Sequence, residues 1–149
     1  MSVFGVEVNP DHICIIPRGT SKADALDQLI DALGHSDAII DTEAFRRAVH
    51  EREAVMSTGI GGGIAIPHVR IPQVKRPIIG VGIAPHGLEF KTLDKKPVFI
   101  LVLFATPEGA DKEYLGLLAK VMMALKNTDY YEKLVACKTP EAAHAVLTS

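Results

Sequence analysis

His68 closes the most unusual stretch of this 149-residue chain, Ser57-Thr58-Gly59-Ile60-Gly61-Gly62-Gly63-Ile64-Ala65-Ile66-Pro67-His68. A neutral imidazole carries a lone pair for nucleophilic attack near physiological pH, and its unperturbed pKa of about 6.5 allows reversible use. Four glycines precede it within five residues, Gly59 and Gly61 to Gly63. Such density costs backbone entropy that an ordinary connection does not need. It also lets backbone N–H groups converge on an anion, because no Cβ blocks the approach. No Lys-Ser or Lys-Thr follows the glycines, so this is not a Walker A loop. The strand comes after the glycines rather than before them, so it is not a dinucleotide fingerprint either. Pro67 pushes Ile66 towards an extended conformation and presents His68 at a strand exit. Imidazole, main-chain donors, the Thr58 hydroxyl and the Arg52 guanidinium thus form one constellation suited to an anion. Taken alone, the glycines also fit a flexible turn, and a lone histidine also fits a structural role.

The elements that must place these groups can be read on either side. Ile13 to Ile16 reads as a short strand closed by Pro17 and Gly19. Ser21 with Asp24 caps a helix carrying Leu26, Leu29, Ile30 and Leu33 at helical spacing, and Gly34 ends it. A second helix runs from Thr42 to about Val55, with Phe45, Ala48, Val49 and Arg52 on one side. Its far end delivers Arg52 towards the glycine stretch. Ile78 to Ala84 and Val98 to Phe104 read as buried strands, being short, aliphatic and β-branched. Pro85-His86-Gly87 is turn chemistry. Leu115, Leu118, Met122 and Leu125 predict a core-facing helical stripe, and Thr139-Pro140-Glu141 opens a last helix. Helices at both ends with strands between predict a single domain over residues 1–149, an α/β sandwich with a mixed sheet.

Composition narrows the function classes. The chain is 48% hydrophobic but only 5% aromatic, without Trp, which suits an aliphatic sheet-and-helix core. A formal charge of -2 is far from the basic balance of proteins that neutralise nucleic-acid backbones, so no nucleic-acid partner is expected. Cys14 and Cys137 are distant and make no metal-ligand spacing. None of His12, His35, His50, His86 and His144 pairs with His68 at a recognised metal spacing, so neither metal nor cofactor is expected. Arg70 reads as a solvated or partner-facing charge and Asp94 as a turn residue. Residues Met1 to Pro10 lack a signal-peptide pattern, and the longest apolar run, Val98 to Ala105, is well short of the roughly 20 residues of a spanning helix. A cytoplasmic location is the expectation.

The run from Arg52 to Arg70, Arg-Glu-Ala-Val-Met-Ser-Thr-Gly-Ile-Gly-Gly-Gly-Ile-Ala-Ile-Pro-His-Val-Arg, resembles the signature of the fructose/mannitol-type enzyme IIA family of the sugar phosphotransferase system (PTS), which includes nitrogen-regulatory enzyme IIA proteins. The likeness continues through Gly87-Leu88-Glu89-Phe90, Leu93-Asp94, Pro97-Val98, Leu101 to Pro107 and Tyr114-Leu115-Gly116-Leu117-Leu118-Ala119. It implies a three-layer α/β/α sandwich with a mixed sheet and no cofactor. His68 would accept phosphate from the phosphohistidine of HPr, with Nε2 as the attacking atom and the other ring nitrogen held as N–H by an acceptor. Arg52, Thr58, the amides of Gly61, Gly62 and Gly63, and Tyr114 would bind or support the phosphate. Many family members carry a second histidine where this chain has Tyr114, which keeps a donor but cannot become cationic near neutral pH. The resemblance leaves two branches open: transport, with onward transfer to the cysteine of an enzyme IIB and membranes met only indirectly through a transporter, and regulation, with phosphorylation-dependent binding of a target protein. A non-phosphorylated interaction domain of the same fold is a third reading. The sugar, the target and the oligomeric state, monomer or dimer, are not legible.

Overall fold

Short polar side chains start most of the helices in the computed structural model, which describes residues 2–149. Ser21 accepts the Asp24 amide at 3.1 Å to open α1 (Lys22–Gly34). Asp41 accepts the Ala44 amide, also at 3.1 Å, to open α2 (Thr42–Val55). The later helices are α3 (Asp111–Leu125), α4 (Thr128–Val135) and α5 (Pro140–Thr148). Asn127 and Thr139 cap the last two, each satisfying an orphan amide of the first turn. α3 has no side-chain cap. Asp111 and Glu113 instead place negative charge at its positive end.

A small antiparallel pair, β1 (Ser2–Val3) and β2 (Val6–Glu7), lies apart from the main sheet. The main sheet has six strands: β3 (Ile13–Ile15), β4 (Gly59–Gly61), β5 (Ile64–Ala65), β6 (His68–Arg70), β7 (Ile78–Leu88) and β8 (Val98–Thr106). Its order is β3-β7-β8-β5-β4, and β6 continues the line of β5 beside β8. β3 is parallel to β7, β7 antiparallel to β8, and β5 and β6 parallel to β8, so the sheet is mixed. One face packs against α1 and α2 through Leu26, Leu29, Phe45 and Val49. The other packs against α3, α4 and α5 through Leu117, Val121, Leu134 and Leu147. The result is the three-layer α/β/α sandwich.

Two sequence expectations are corrected. Pro85-His86-Gly87 does not end its strand. β7 runs on to Leu88, and the extra residues are taken up where the register with β8 shifts between Ile83 and Leu88, with Gly87 at φ 82°. The core stripe of α3 lies about one residue away from the expected one: Tyr114, Leu117, Val121 and Leu125 are buried, while Leu115 is exposed. Apolar side chains occur on both sides of this helix, so periodicity alone does not choose between them.

Candidate functional site

His68 begins β6, and the sheet fixes its height. Ile64 and Ala65 pair with Ile100 and Leu101, and His68 to Arg70 pair with Phe104 to Thr106, so residues 64–70 run beside β8 in one register. His68 Nδ1 lies 3.1 Å from the Ile66 carbonyl oxygen. A carbonyl only accepts, so Nδ1 carries the hydrogen and Nε2 keeps its lone pair. The ring rests on Tyr114, with centroids 5.1 Å apart and planes inclined by 30°. Tyr114, 6% exposed, is itself held edge-on by Phe104 at 5.7 Å. Burial lowers the His68 pKa below its ordinary value. The bond to the Ile66 carbonyl opposes this, Arg52 and Arg70 reinforce it, and Glu53 opposes it weakly. The imidazole is therefore neutral and nucleophilic near pH 7.

Two guanidinium groups share the cleft with this ring. Arg52, in the last turn of α2, donates from Nη1 to the Met56 carbonyl at 3.0 Å and lines a hollow of about 370 Å³ together with Val55, His68, Arg70 and Ile71. Arg70 lies over the Tyr114 ring at 5.1 Å and pairs with Asp111 at 2.7 Å. Arg70 is exposed, as a solvated or partner-facing charge should be, and it also lines the cleft. An open hollow with two fixed cations and a neutral imidazole is suited to an anion attached to the ring or approaching it. Val55, Met56 and Leu115, at 82%, 68% and 60% exposure, leave apolar side chains uncovered on α2, just after it, and beside Tyr114.

Thr58 and the glycines are not where the sequence suggested. Thr58 is buried, and both its donors go to Glu53: the amide to Oε1 at 2.7 Å and the hydroxyl to Oε2 at 2.8 Å. It therefore has no hydrogen to offer a phosphate. Gly61, Gly62 and Gly63, at φ 93°, 65° and 79°, make the turn between antiparallel β4 and β5. The Gly62 amide donates to Asp94 Oδ2 at 3.0 Å, and the Gly63 carbonyl accepts from the Phe99 amide at 2.8 Å. The Gly63 level of β8 is thus Phe99, and the His68 level is Phe104. Five residues of strand separate them, about 16 Å at the usual rise. The glycines serve a tight turn at the far end of the strand and do not cradle anything bound at His68. Asp94 is a turn residue as expected, accepting from the amides of Gly62 and Lys96 and from the Thr92 hydroxyl.

Glu53 was missed in the sequence, although a signal was present. Phe45, Val49 and Glu53 are the buried residues of α2, at i, i+4 and i+8, and an acid on an apolar stripe requires partners. Besides Thr58 it holds Lys22, whose Nζ lies 3.0 Å from Oε1. A larger hollow of about 640 Å³, lined by His86, Phe90, Lys91, Lys95 and Lys96, lies apart from His68. His86 Nδ1 there accepts from Arg18 Nη2 at 3.1 Å, and no nucleophile is set up beside it. Among the described residues no cluster of His, Cys, Asp and Glu is arranged to hold a metal ion.

The architecture and this cleft define an α/β/α protein with a neutral histidine and two arginines lining one hollow at the edge of a mixed sheet. Residues 8–149 match the family described as phosphoenolpyruvate-dependent sugar phosphotransferase system, EIIA 2, and the chain belongs to that family, whose work is phosphoryl transfer. It is 32% identical over 140 residues to the nitrogen regulatory protein of Pseudomonas aeruginosa, covering 94% of this chain and 91% of that one. It is 30% identical over 121 residues to the PTS system fructose-specific EIIABC component of Bacillus subtilis, covering 81% of this chain but only 19% of that protein. The crystal structure of nitrogen regulatory protein IIA-Ntr from Neisseria meningitidis superposes with a TM-score of 0.82 at 26% identity, covering 93% of this chain and 94% of that one.

Proposed function

We propose that His68 is the phosphoryl acceptor and that this chain carries the group between two proteins. The observation that carries the reading is the 3.1 Å contact of Nδ1 with the Ile66 carbonyl, which requires Nδ1–H and leaves the Nε2 lone pair available in a cleft walled by Arg52 and Arg70. The donor is the phosphohistidine of HPr. Nε2 attacks phosphorus and forms a P–N bond as the donor's P–N bond breaks, returning that electron pair to the donor imidazole. His68 retains its Nδ1 proton throughout. Arg52 and Arg70 stabilise charge on the equatorial oxygens, and positioning with charge stabilisation is most of what phosphoryl transfer needs. A thiolate of an enzyme IIB then attacks phosphorus, and the pair of the P–N bond returns to Nε2. The apolar side chains Val55, Met56 and Leu115 suit docking of either partner.

Tyr114 takes the place of the family's second histidine as a stacking support rather than as a second cation. Burial raises its phenol pKa, so it stays neutral around pH 7. Regulation by phosphorylation-dependent binding is the second reading, favoured by the end-to-end match to a nitrogen regulatory protein. Incubation with phosphoenolpyruvate, enzyme I and HPr should give one acid-labile phosphate per chain, absent in His68→Ala. Labelling that survives this substitution overturns the assignment. Chase with an enzyme IIB separates transport from regulation, since only a transport carrier should discharge onto it rapidly.

A further inference from the structure

Glu53 is buried, charged and too committed to other partners to touch a phosphate. We propose that it is a positioning residue that sets the His68 tautomer by withdrawing the Thr58 amide from the sheet. This rests on the reading above, in which Nε2 attacks.

The register makes the case. β4 and β5 are antiparallel with Gly59 opposite Ala65, which places Thr58 opposite Ile66. The Ile66 amide donates to the Thr58 carbonyl at 3.0 Å, as a hydrogen-bonded antiparallel pair requires. Such a pair normally returns a second bond, here from the Thr58 amide to the Ile66 carbonyl. That bond is replaced: the Thr58 amide donates to Glu53 Oε1 at 2.7 Å, and the hydroxyl to Oε2 at 2.8 Å. The Ile66 carbonyl, relieved of its ladder donor, accepts from His68 Nδ1 at 3.1 Å instead. A carboxylate outcompetes a neutral carbonyl for an amide, and Lys22 Nζ, 3.0 Å from Oε1, helps hold this one in place. Without Glu53 the Thr58 amide returns to Ile66. A carbonyl can accept twice, so the imidazole bond weakens rather than vanishes, and the Nε2–H tautomer, which cannot attack, becomes populated.

The test reads the tautomer directly, from two-bond ¹H–¹⁵N correlations of the His68 ring at pH 7.5, with no phosphotransfer component present. Wild type should show the proton on Nδ1, and Glu53→Ala a mixture of both tautomers. Glu53→Gln should restore the wild-type pattern, since its amide oxygen still accepts from Thr58. The rate of transfer from phosphorylated HPr should fall on the order of tenfold in Glu53→Ala and recover in Glu53→Gln. If Glu53→Ala does not fold, Lys22→Met/Glu53→Met fills the space without an acceptor and should show the same mixture. A wild-type ring protonated on Nε2, or acceptor-free variants with the wild-type tautomer, overturns the proposal. A wild-type ring with the Nδ1 proton and no phosphate uptake would sink the phosphoryl reading and leave this one standing.

Discussion

His68 is neutral because burial and two neighbouring guanidinium groups work against its protonation, and pH dependence follows from that sign. The attacking form lacks the second proton, so the rate of phosphate uptake should be flat around neutrality and fall only as pH drops through the lowered pKa, below the usual 6.5 or so. Rapid-quench rates across pH 5 to 8 measure this; a midpoint above 7 contradicts the depressed value. Arg52 should matter most for charge. Arg52→Ala removes a charged donor worth about 1.5–3 kcal/mol, so transfer should slow by roughly 10- to 100-fold with little change in thermal stability. Tyr114 acts differently, because its ring is packed as well as placed. Tyr114→Ala should lower stability by about 3–5 kcal/mol, as loss of a buried aromatic does, and loosen the imidazole it supports. Denaturant melts measure the first effect, and the transfer rate at a temperature where the variant remains folded measures the second.

The glycine turn and the histidine strand are joined in sequence and separated in space by β5 and the Ile66-Pro67 step. An ideal Cβ on Gly63 would collide with the Tyr131 hydroxyl, at a φ of 79° that side chains rarely adopt. Gly63→Ala should therefore cost stability, at least the roughly 1–3 kcal/mol of a strained left-handed residue, while the folded protein keeps its rate of phosphate uptake. A collapse of that rate at full folding would put the glycines back in the site. The sequence showed the glycine run and the Pro-His pair but not their distance apart, because an extended segment spaces its two ends rather than bringing them together. The same limit hid Glu53, whose partners Lys22 and Thr58 come from two other segments.

Across the whole molecule, the cleft is a small polar centre beside uncovered apolar side chains. Val55 and Leu115 come from opposite layers of the sandwich and lie close in sequence to Arg52 and Tyr114, and their exposure fits a surface that meets protein partners. Met56→Ser with Leu115→Ser, both outside the lining of the hollow, should raise the concentration of HPr needed for half-maximal transfer on the order of tenfold, leaving the rate at saturation and the melting temperature near wild type. Steady-state transfer assays check this, and an unchanged requirement for HPr would place the docking surface elsewhere. No described helix is long and apolar enough to cross a membrane.

The α/β sandwich, its long central strands and most of its helices were legible in the amino-acid sequence, as was His68 as the candidate nucleophile, because hydrophobic periodicity, capping residues and a Pro-His strand exit are local properties. Turn chemistry inside β7 and the core side of α3 misled that reading, since a bulge and a choice between two apolar helix faces are settled by the neighbouring strand and layer. Only the tertiary structure decided who stands beside His68. It set Arg70 over the Tyr114 ring, sent the glycines to the far end of the sheet, and turned Thr58 towards a buried acid. Register between strands and contacts between layers join residues distant along the chain, and no local pattern encodes those distances.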